Sequence, residues 1–386
     1  MLDAGTIGTT ANKLLQLDGS AKIPAVDGSL LTGIPSSFTK SASDPTYATN
    51  PSGGVGTLWI NTTSGEAYCC IDATAGANVW FNLGSGEGQI PVLWYYTGES
   101  YGYGMGGYRV PGGYSNVIER FSLTADGNAV DVGDFTVSRI SAAGFADTSH
   151  GYHAGGHSPG NSDMVERFAF AASSNAVDVG NLYTNHSDDP GSSQSNDADY
   201  GYIHGGSSGI SITRFAFASS VTGTDVGDML WASNGIGGAC SPSYGYIAGG
   251  ANATAAVNIQ KYAFASSGNS TDVGNMLMST KYNSTNGNSQ TYGYSMGGLD
   301  PGGYSNVIQK WAYASDSNAT DVGNLLYTGN SCNSASSTDY VYCVSGGNAS
   351  SQFQMIQKLP FATDGNSTDV GDLTAGAETD VGTCAN

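Results

Sequence analysis

The stretch Tyr244-Gly245-Tyr246-Ile247-Ala248-Gly249-Gly250, continued by Ile259-Gln260-Lys261-Tyr262-Ala263-Phe264 and ended by Asp272-Val273-Gly274, decides the fold, because it is one of six near-copies in a chain of 386 residues. The Asp-Val-Gly turn returns at Asp131, Asp178, Asp225, Asp272, Asp321 and Asp369, in steps of 47, 47, 47, 49 and 48 residues. Self-similarity at such a period marks solenoids and propellers. The double glycine keeps the same phase, at Gly106-Gly107, Gly155-Gly156, Gly205-Gly206, Gly249-Gly250, Gly297-Gly298 and Gly346-Gly347. Aromatic β-formers thus run into a pair that lets backbones approach closely.

Between these landmarks lies a strand that can be read by column. Ile118, Val165, Ile212, Ile259, Ile308 and Ile356 are followed two places on by Arg120, Arg167, Arg214, Lys261, Lys310 and Lys358, and next by Phe121, Phe168, Phe215, Tyr262, Trp311 and Leu359. Two places further the apolar column returns as Leu123, Phe170, Phe217, Phe264, Tyr313 and Phe361. Bulky groups on both faces of a period-two pattern predict a strand buried on both sides. Each unit closes in Asn, Ser, Thr or Gly, which are turn formers, and no helical stretch intervenes. About four strands of five or six residues fill such a unit.

The chain enters the first copy at Leu93-Trp94-Tyr95-Tyr96 and Tyr101-Gly102-Tyr103 and leaves the last with a partial strand between Leu373 and Asn386. These ends are complementary. The expected architecture is all-β: a six-bladed β-propeller over residues 88–386, its first blade completed by the C-terminal strand so that no long sheet edge stays open. An open stack of the same units is the alternative. Through the Tyr-x-x-Gly-Gly doublet, the basic-aromatic strand and the period, the units resemble degenerate kelch repeats. The usual kelch tryptophan is missing from the closing strand, and the resemblance implies a kelch-like architecture without naming a partner.

Twelve basic residues stand against 32 acidic ones, a formal charge of −20, which repels phosphate backbones and argues against nucleic-acid binding. Six of those 12 occupy the single Arg/Lys column. A repeated internal contact is expected there, each cation paired with a carboxylate or carbonyl of its own or the adjacent unit, with the Asp131, Asp178, Asp225, Asp272, Asp321 and Asp369 column as first candidate; an exposed ring of cations is the rival. Cys69, Cys70, Cys240, Cys332, Cys343 and Cys384 lack C-x-x-C spacing and read as ordinary small buried residues. Neither a cleaved export signal nor membrane insertion is expected, since Met1-Leu2-Asp3-Ala4 opens no basic or apolar leader and no run of about 18 apolar residues occurs.

Residues 1–37 alternate apolar and polar positions broken by Asp-Gly turns, and so short a segment would be marginal alone. Its phrases Ala11 to Leu17, Lys22-Ile23-Pro24-Ala25-Val26-Asp27-Gly28-Ser29 and Leu31-Thr32-Gly33-Ile34 resemble the N-terminal region of tailed-bacteriophage tail fibres and related virion proteins. The resemblance implies attachment to other virion proteins and a homotrimer. Residues 38–87 read as a small β-sheet module: two strands around Thr63-Ser64-Gly65, a third at Asn78 to Leu83, and linkers at Pro45 to Gly54 and Gly84 to Gly88. Trp59, Tyr68 and Trp80 are its candidate core, a sugar platform being the alternative reading.

Chemistry is sparse. His150, His153, His157, His186 and His204 fall in two adjacent units, but their columns differ, so no metal site or cofactor is expected. Six-bladed sialidases cluster arginines where here they are spread one per unit, and the acids concentrate in turns, where Asp has a structural role. Several Asn-x-Ser/Thr triplets, Asn269, Asn318 and Asn366 among them, read as turn chemistry. A binding face should come from loops that break the repeat: Thr184 to Ala198, Tyr108 to Tyr114 and Leu299 to Tyr304, the last two sharing Pro-Gly-Gly-Tyr-Ser-Asn-Val. Tyr108, Tyr114 and Tyr304 are therefore the candidate receptor-binding residues, rings able to stack on a glycan or fill a protein pocket. The function expected is that of a non-enzymatic structural protein at the virion surface, a tail fibre touching a host surface glycan or protein. A capsid-decorating head fibre or cement protein and a polysaccharide-degrading enzyme are the alternatives.

Overall fold

The structure is a computed structural model that describes residues 38–84, 98–194, 199–207, 209–217, 222–252, 257–278, 282, 287–374 and 378–386. Among the described residues every regular element is a β-strand. The chain divides into two compact units, Met1–Val92 and Leu93–Asn386. The expected attachment segment 1–37, the linker residues 85–88 and the entry strand at Leu93 to Tyr96 lie outside the described residues.

In the first unit four strands make one sheet: Phe38–Ser41 parallel to Leu58–Asn61, followed by antiparallel Ala67–Asp72 and Val79–Asn82. The first strand escapes a sequence reading because Phe38-Thr39-Lys40-Ser41 has a single bulky apolar residue. Trp80, Cys70 and Tyr68 are buried, with Trp59 edge-on to Trp80 at 5.8 Å, so these aromatics are a mini-core. Pro45 to Gly54 is not a linker. Asn78 donates to Tyr47 O at 2.8 Å and to Asn50 Oδ1 at 2.7 Å, and Asn61 donates to Asp44 Oδ1 at 2.7 Å, which ties that segment onto the sheet.

Among the described residues of the second unit each repeat contributes an antiparallel four-stranded arrangement; five of these are separate sheets, and the sixth is extended through Glu378–Thr379 to the hairpin Tyr108–Arg109 and Gly113–Tyr114. Sheet II runs Ala143–Ala146, His150–Ala154, Met164–Ala169, Val177–Asn181; sheet III runs Gly191–Gln194, Tyr200–His204, Ser211–Ala216, Thr224–Asp228. Sheet IV is Gly237–Cys240, Tyr244–Ala248, Asn258–Ala263, Thr271–Asn275; sheet V is Gly287–Asn288, Tyr292–Met296, Val307–Ala312, Thr320–Asn324. Sheet VI comprises Asn333–Ser336, Tyr340–Gly347, Gln352–Pro360 and Thr368–Asp372. In sheet I the first strand is the last of the chain: Gly382–Ala385 pairs with Tyr101–Met105, ahead of Val117–Ser122 and Val130–Asp134.

Sheets pack on sheets through aromatic rings. The tyrosine at the third position of the second strand meets an aromatic of the following repeat: Tyr103 on Phe170 at 5.1 Å, Tyr152 on Phe217 at 4.6 Å, Tyr202 on Phe264 at 4.9 Å, Tyr246 on Tyr313 at 4.8 Å and Tyr294 on Phe361 at 5.2 Å. Tyr342 of sheet VI reaches Phe121 of sheet I at 5.6 Å and donates to Leu123 O at 3.0 Å. Such pairs add to the burial of large apolar area. The residue before that tyrosine has to make room for a ring. A Cβ on Gly102, Gly151, Gly245 or Gly293 would come 2.2, 2.4, 2.3 or 2.4 Å from the aromatic ring paired with it. In sheet VI the paired residue is the smaller Leu359, and there the glycine is replaced by Val341.

Two polar features join the sheets. After each third strand the chain turns, and a backbone N–H clasps the end of the preceding repeat's fourth strand: Ala176 to Asp134 O, Gly223 to Asn181 O, Ser270 to Asp228 O, Ala319 to Asn275 O, Ser367 to Asn324 O and Ala129 to Asp372 O, at 2.7–2.9 Å. Asn128, Asn175, Asn269, Asn318 and Asn366 add a side-chain acceptor for the same strand ends, at 3.0–3.1 Å, which gives the Asn-x-Ser/Thr triplets a structural role. One position before the Arg/Lys column stands a buried polar residue. Glu166, Gln260, Gln309, Gln357 and Glu119 accept from the backbone N–H of Thr136, Leu230, Leu277, Leu326 and Thr374 of the preceding repeat, at 2.6–2.9 Å.

The Arg/Lys column does not pair with the Asp-Val-Gly carboxylates. Those accept instead from the glycine N–H two residues on, at 3.0–3.1 Å, closing a local turn that leaves them facing away from the column. The cations lie over the tyrosines that begin the second strands: Arg120 over Tyr101, Arg214 over Tyr200, Lys261 over Tyr244, Lys310 over Tyr292 and Lys358 over Tyr340, 4.4–5.0 Å from the ring centres. The charge of Arg167 acts on Tyr152. The lysines also reach the turn of the next repeat, Lys261 to Asp316 at 2.6 Å, Lys310 to Asp364 at 2.6 Å and Lys358 to Asp126 at 2.5 Å. Where the repeat carries Arg120 or Arg214, the matching turn position of the next repeat is Ser173 or Ser267, so cation and acid vary together along the chain.

Ending the chain at Asp380 would strip the pairing strand from Tyr101–Met105 and bare an apolar sheet edge. Loss of a cooperative melt and aggregation on size exclusion are expected; a monomer with an unchanged midpoint would show that Gly382–Ala385 is dispensable. D364N, by contrast, touches a pair half open to water and should cost less than about 1 kcal/mol, a difference that added salt erases in a denaturant titration.

Candidate functional site

Strand topology sorts the connections by end of sheet. The turn from third to fourth strand is seven residues long in all six repeats, whereas the link from second to third strand ranges from four to eleven. Links from a fourth strand to the next sheet's first strand emerge at the same end as these variable links, because neighbouring strands are antiparallel. Length variation is therefore concentrated at one end of the sheets, where function is most often carried.

At that end Tyr108–Arg109 and Gly113–Tyr114 form a hairpin with Tyr108 directly opposite Tyr114. Both rings are more than a third exposed and meet edge to face at 6.1 Å. Tyr114 in turn meets His157 of the second repeat at 5.9 Å. The row continues in polar groups: His157 Nδ1 to Asn161 Oδ1 at 3.4 Å, Asn161 Nδ2 to Ser207 Oγ at 3.2 Å, Ser207 Oγ to Asp188 Oδ2 at 3.4 Å. Tyr108 and Tyr114 are thus brought together as their shared loop suggests. Tyr304 sits on the equivalent hairpin of sheet V, half-buried and opposite Leu299. His157 and Ser207 were missed by sequence reasoning, although a signal existed: like Tyr108, each directly follows a double glycine.

The segment Thr184 to Ala198, expected as a loop that breaks the repeat, is not one loop. Gly191–Gln194 within it is the first strand of sheet III, and Ser192 and Ser193 are wholly buried. First strands are rich in small residues, Phe145 being an exception, because they meet at close range: a Cβ on Gly238 would lie 2.0 Å from Ser192 O and one on Gly144 2.1 Å from Thr383 O.

Each first strand is preceded by a left-handed residue, with φ of 52° at Ser141, 55° at Asp189, 59° at Gly235, 54° at Tyr282, 55° at Ser331 and 56° at Asp380. Side chains tolerate that region only where neighbours enforce it. Here backbone N–H groups link them in series: Ser141 to Asp380 O, Asp380 to Ser331 O, Ser331 to Tyr282 O, Tyr282 to Gly235 O and Gly235 to Asp188 O, at 2.7–3.2 Å. The Ser141 side chain hydrogen-bonds Asp189. A small cavity lined by Ala142, Asp189, Pro190, Tyr282, Ser331 and Asn333 opens among them. Burial raises the carboxyls of Asp189 and Asp380, and the Asp380 charge adds to the shift at Asp189.

Three histidines are buried in the second and third repeats. His186 donates from Nδ1 to Gly205 O at 2.6 Å and accepts at Nε2 from the Thr213 hydroxyl at 2.9 Å, a neutral tautomer that occupies the join where other repeats use Glu or Gln. Burial lowers His186 to about 4, and burial with the nearby His186 lowers His204 to about 3. His153, stacked at 4.5 Å on Phe135, is pushed well down by burial and by the charge of Arg139. Arg139 is itself buried in an ion pair with Glu166 at 2.6 Å and donates to Gly155 O at 2.7 Å. No group of three metal-ligating side chains forms among the described residues.

A histidine with a lowered folded-state pKa binds its proton more readily when unfolded, so stability should fall as pH drops through 6.5, by about 1.4 kcal/mol per pH unit for each group. Replacing one such group, as in H204L, should flatten the fall by one proton's slope in denaturant titrations between about pH 7 and 5. The acids act oppositely. Asp380 and Asp189 hold their protons more tightly when folded, so their contribution is present below 3.8 and lost as pH rises through the raised value. D380N should therefore stabilise near pH 8 and lose that advantage near pH 3; a pH-independent effect would mean that Asp380 is solvated. No family model matches this chain, and no curated protein matches it.

Proposed function

We propose that the six repeat sheets close into a kelch-like β-propeller, and that the chain is a non-enzymatic virion protein of a tailed bacteriophage, a tail fibre whose propeller contacts a host surface glycan or protein. Closure is supported by contacts at the step from sheet VI to sheet I that recur at other steps. An aromatic contact, a backbone clasp, a polar latch and a lysine pair stand there in Tyr342 and Phe121, Ala129 and Asp372, Glu119 and Thr374, and Lys358 and Asp126.

The observation that carries the functional reading is that the variable links from second to third strand, and with them the exposed pair Tyr108 and Tyr114, fall at one end of the sheets, while the turns from third to fourth strand at the other end keep one length. A ring that only filled space on a particle would need no such asymmetry. The N-terminal phrases that resemble tail-fibre attachment segments supply the virion side. A homotrimer joined there would multiply weak single contacts into avidity, so no deep pocket is needed. No catalytic residue, cofactor, nucleic acid or membrane insertion enters the reading.

Two measurements on the full chain test it. Antibody labelling of particles should place the protein on the tail, and purified chain should bind host cells and block infection. Labelling on capsids together with failure to bind cells would replace the reading by a decorating head fibre or cement protein; release of oligosaccharides from host polymer would replace it by an enzyme.

A further inference from the structure

We infer that Tyr108, Tyr114 and His157 form a stacking platform for a neutral polysaccharide, with Asn161, Ser207 and Asp188 hydrogen-bonding its hydroxyls. The inference rests on the host-contact reading above and names the ligand class and the subsite within it.

The three rings succeed one another across two repeats, at 6.1 and 5.9 Å, and both tyrosines keep more than a third of their surface open. An exposed ring carrying a hydroxyl presents an apolar body and a polar tip, which suits the alternating C–H faces and hydroxyl edges of a sugar. Beside the rings run an amide, a hydroxyl and a carboxylate joined in series, so donors and acceptors are available without an apolar pocket. A protein hot spot would be expected instead to have a desolvated centre.

The platform is preorganised. Tyr108–Arg109 is paired on one side with Gly113–Tyr114 and on the other with Glu378–Thr379, so the hairpin does not have to be ordered on binding. Between the tyrosines lies Arg109-Val110-Pro111-Gly112-Gly113, and a Cβ at Gly113 would meet nothing within 4 Å, which leaves open space above the turn. The charge argument selects among glycans. A formal charge of −20 and a carboxylate at the end of the row disfavour uronic acids, sialic acids and phosphate-bearing chains. The hairpin of sheet V lacks the partner rings: Tyr304 faces Leu299, where Tyr114 faces Tyr108.

The test is binding of full-length chain to immobilised bacterial cell-surface polysaccharides, neutral and acidic, read by biolayer interferometry beside a cell-adsorption assay. The expected result is binding to neutral polysaccharides, lost by tenfold or more in the Y108A/Y114A double variant, retained in Y108F/Y114F and unchanged in Y304A. The phenylalanine variant guards against misfolding, since it keeps the rings and their packing. Adsorption to cells with no polysaccharide bound would overturn the ligand class and leave the host-contact reading standing. Binding to acidic chains alone would also overturn it, and binding that survives Y108A/Y114A would overturn the location. Failure to bind either cells or polysaccharide would overturn both.

Discussion

The second unit depends on one constraint: a four-stranded sheet of this sequence has two apolar faces and nothing in its own repeat to cover them. Tyr152 shows the solution. Its ring leaves sheet II and lies on Phe217 of sheet III, while Phe145 of the same sheet stacks on it and also packs on Phe217. Every buried cluster in this unit mixes residues of successive repeats, so the core is a set of layers between sheets. In a stack of this kind each sheet depends on its neighbours for the burial of its faces. The same constraint explains the glycine before the stacking tyrosine, because a ring must lie flat on the backbone at that point, and it explains why Val341 is allowed where Leu359 replaces the ring.

What can be read from the sequence follows from which residues carry that constraint. The second and third strands announce themselves through Tyr-Gly-Tyr and the Ile-x-Arg/Lys-aromatic columns, since they supply the bulk of the layers. First strands such as Gly191–Gln194 and Gly237–Cys240 do not, because close packing demands Gly, Ala and Ser, which are also the residues of loops. The latch column was overlooked for a related reason. Glu119 and Gln309 are polar and yet fully buried, and period-two reasoning assigns a polar residue beside a cation to the surface. Burial is affordable there because the side-chain oxygen takes over a backbone N–H that would otherwise be orphaned. The cation column meets other partners than the acid its spacing suggests: the Asp-Val-Gly carboxylate accepts from its glycine N–H two residues on, and the lysines reach an aspartate in another repeat's turn.

Of the candidate site, the paired tyrosines were legible because they break the repeat together. Asn161 and Asp188 were not, since contact between repeats is fixed by how sheets twist against each other and not by the spacing of residues along the chain. The join between the second and third repeats stands apart from the others as well. Thr213 replaces the Glu or Gln of the other repeats, and His186 reaches in from the preceding loop to make up the lost length. A neutral imidazole can accept from a hydroxyl while donating to a carbonyl, which is the chemistry a carboxamide performs elsewhere, with the difference that imidazole titrates.

The C-terminal segment ties scaffold and site into one element. Gly382–Ala385 completes sheet I, Asp380 joins the series of backbone bonds before the first strands, and Glu378–Thr379 pairs with both Phe353 of sheet VI and the Tyr108 hairpin. In the proposed ring the residues that shut the seam are the ones that hold up the aromatic row. The hairpin's outer face can then be spent on a ligand, because its inner edge has already satisfied its hydrogen bonds. The hairpin of sheet V lies in an unbroken stretch of chain and has no seam to close, which accounts for two near-identical phrases, Pro111 to Val117 and Pro301 to Val307, ending in different surroundings.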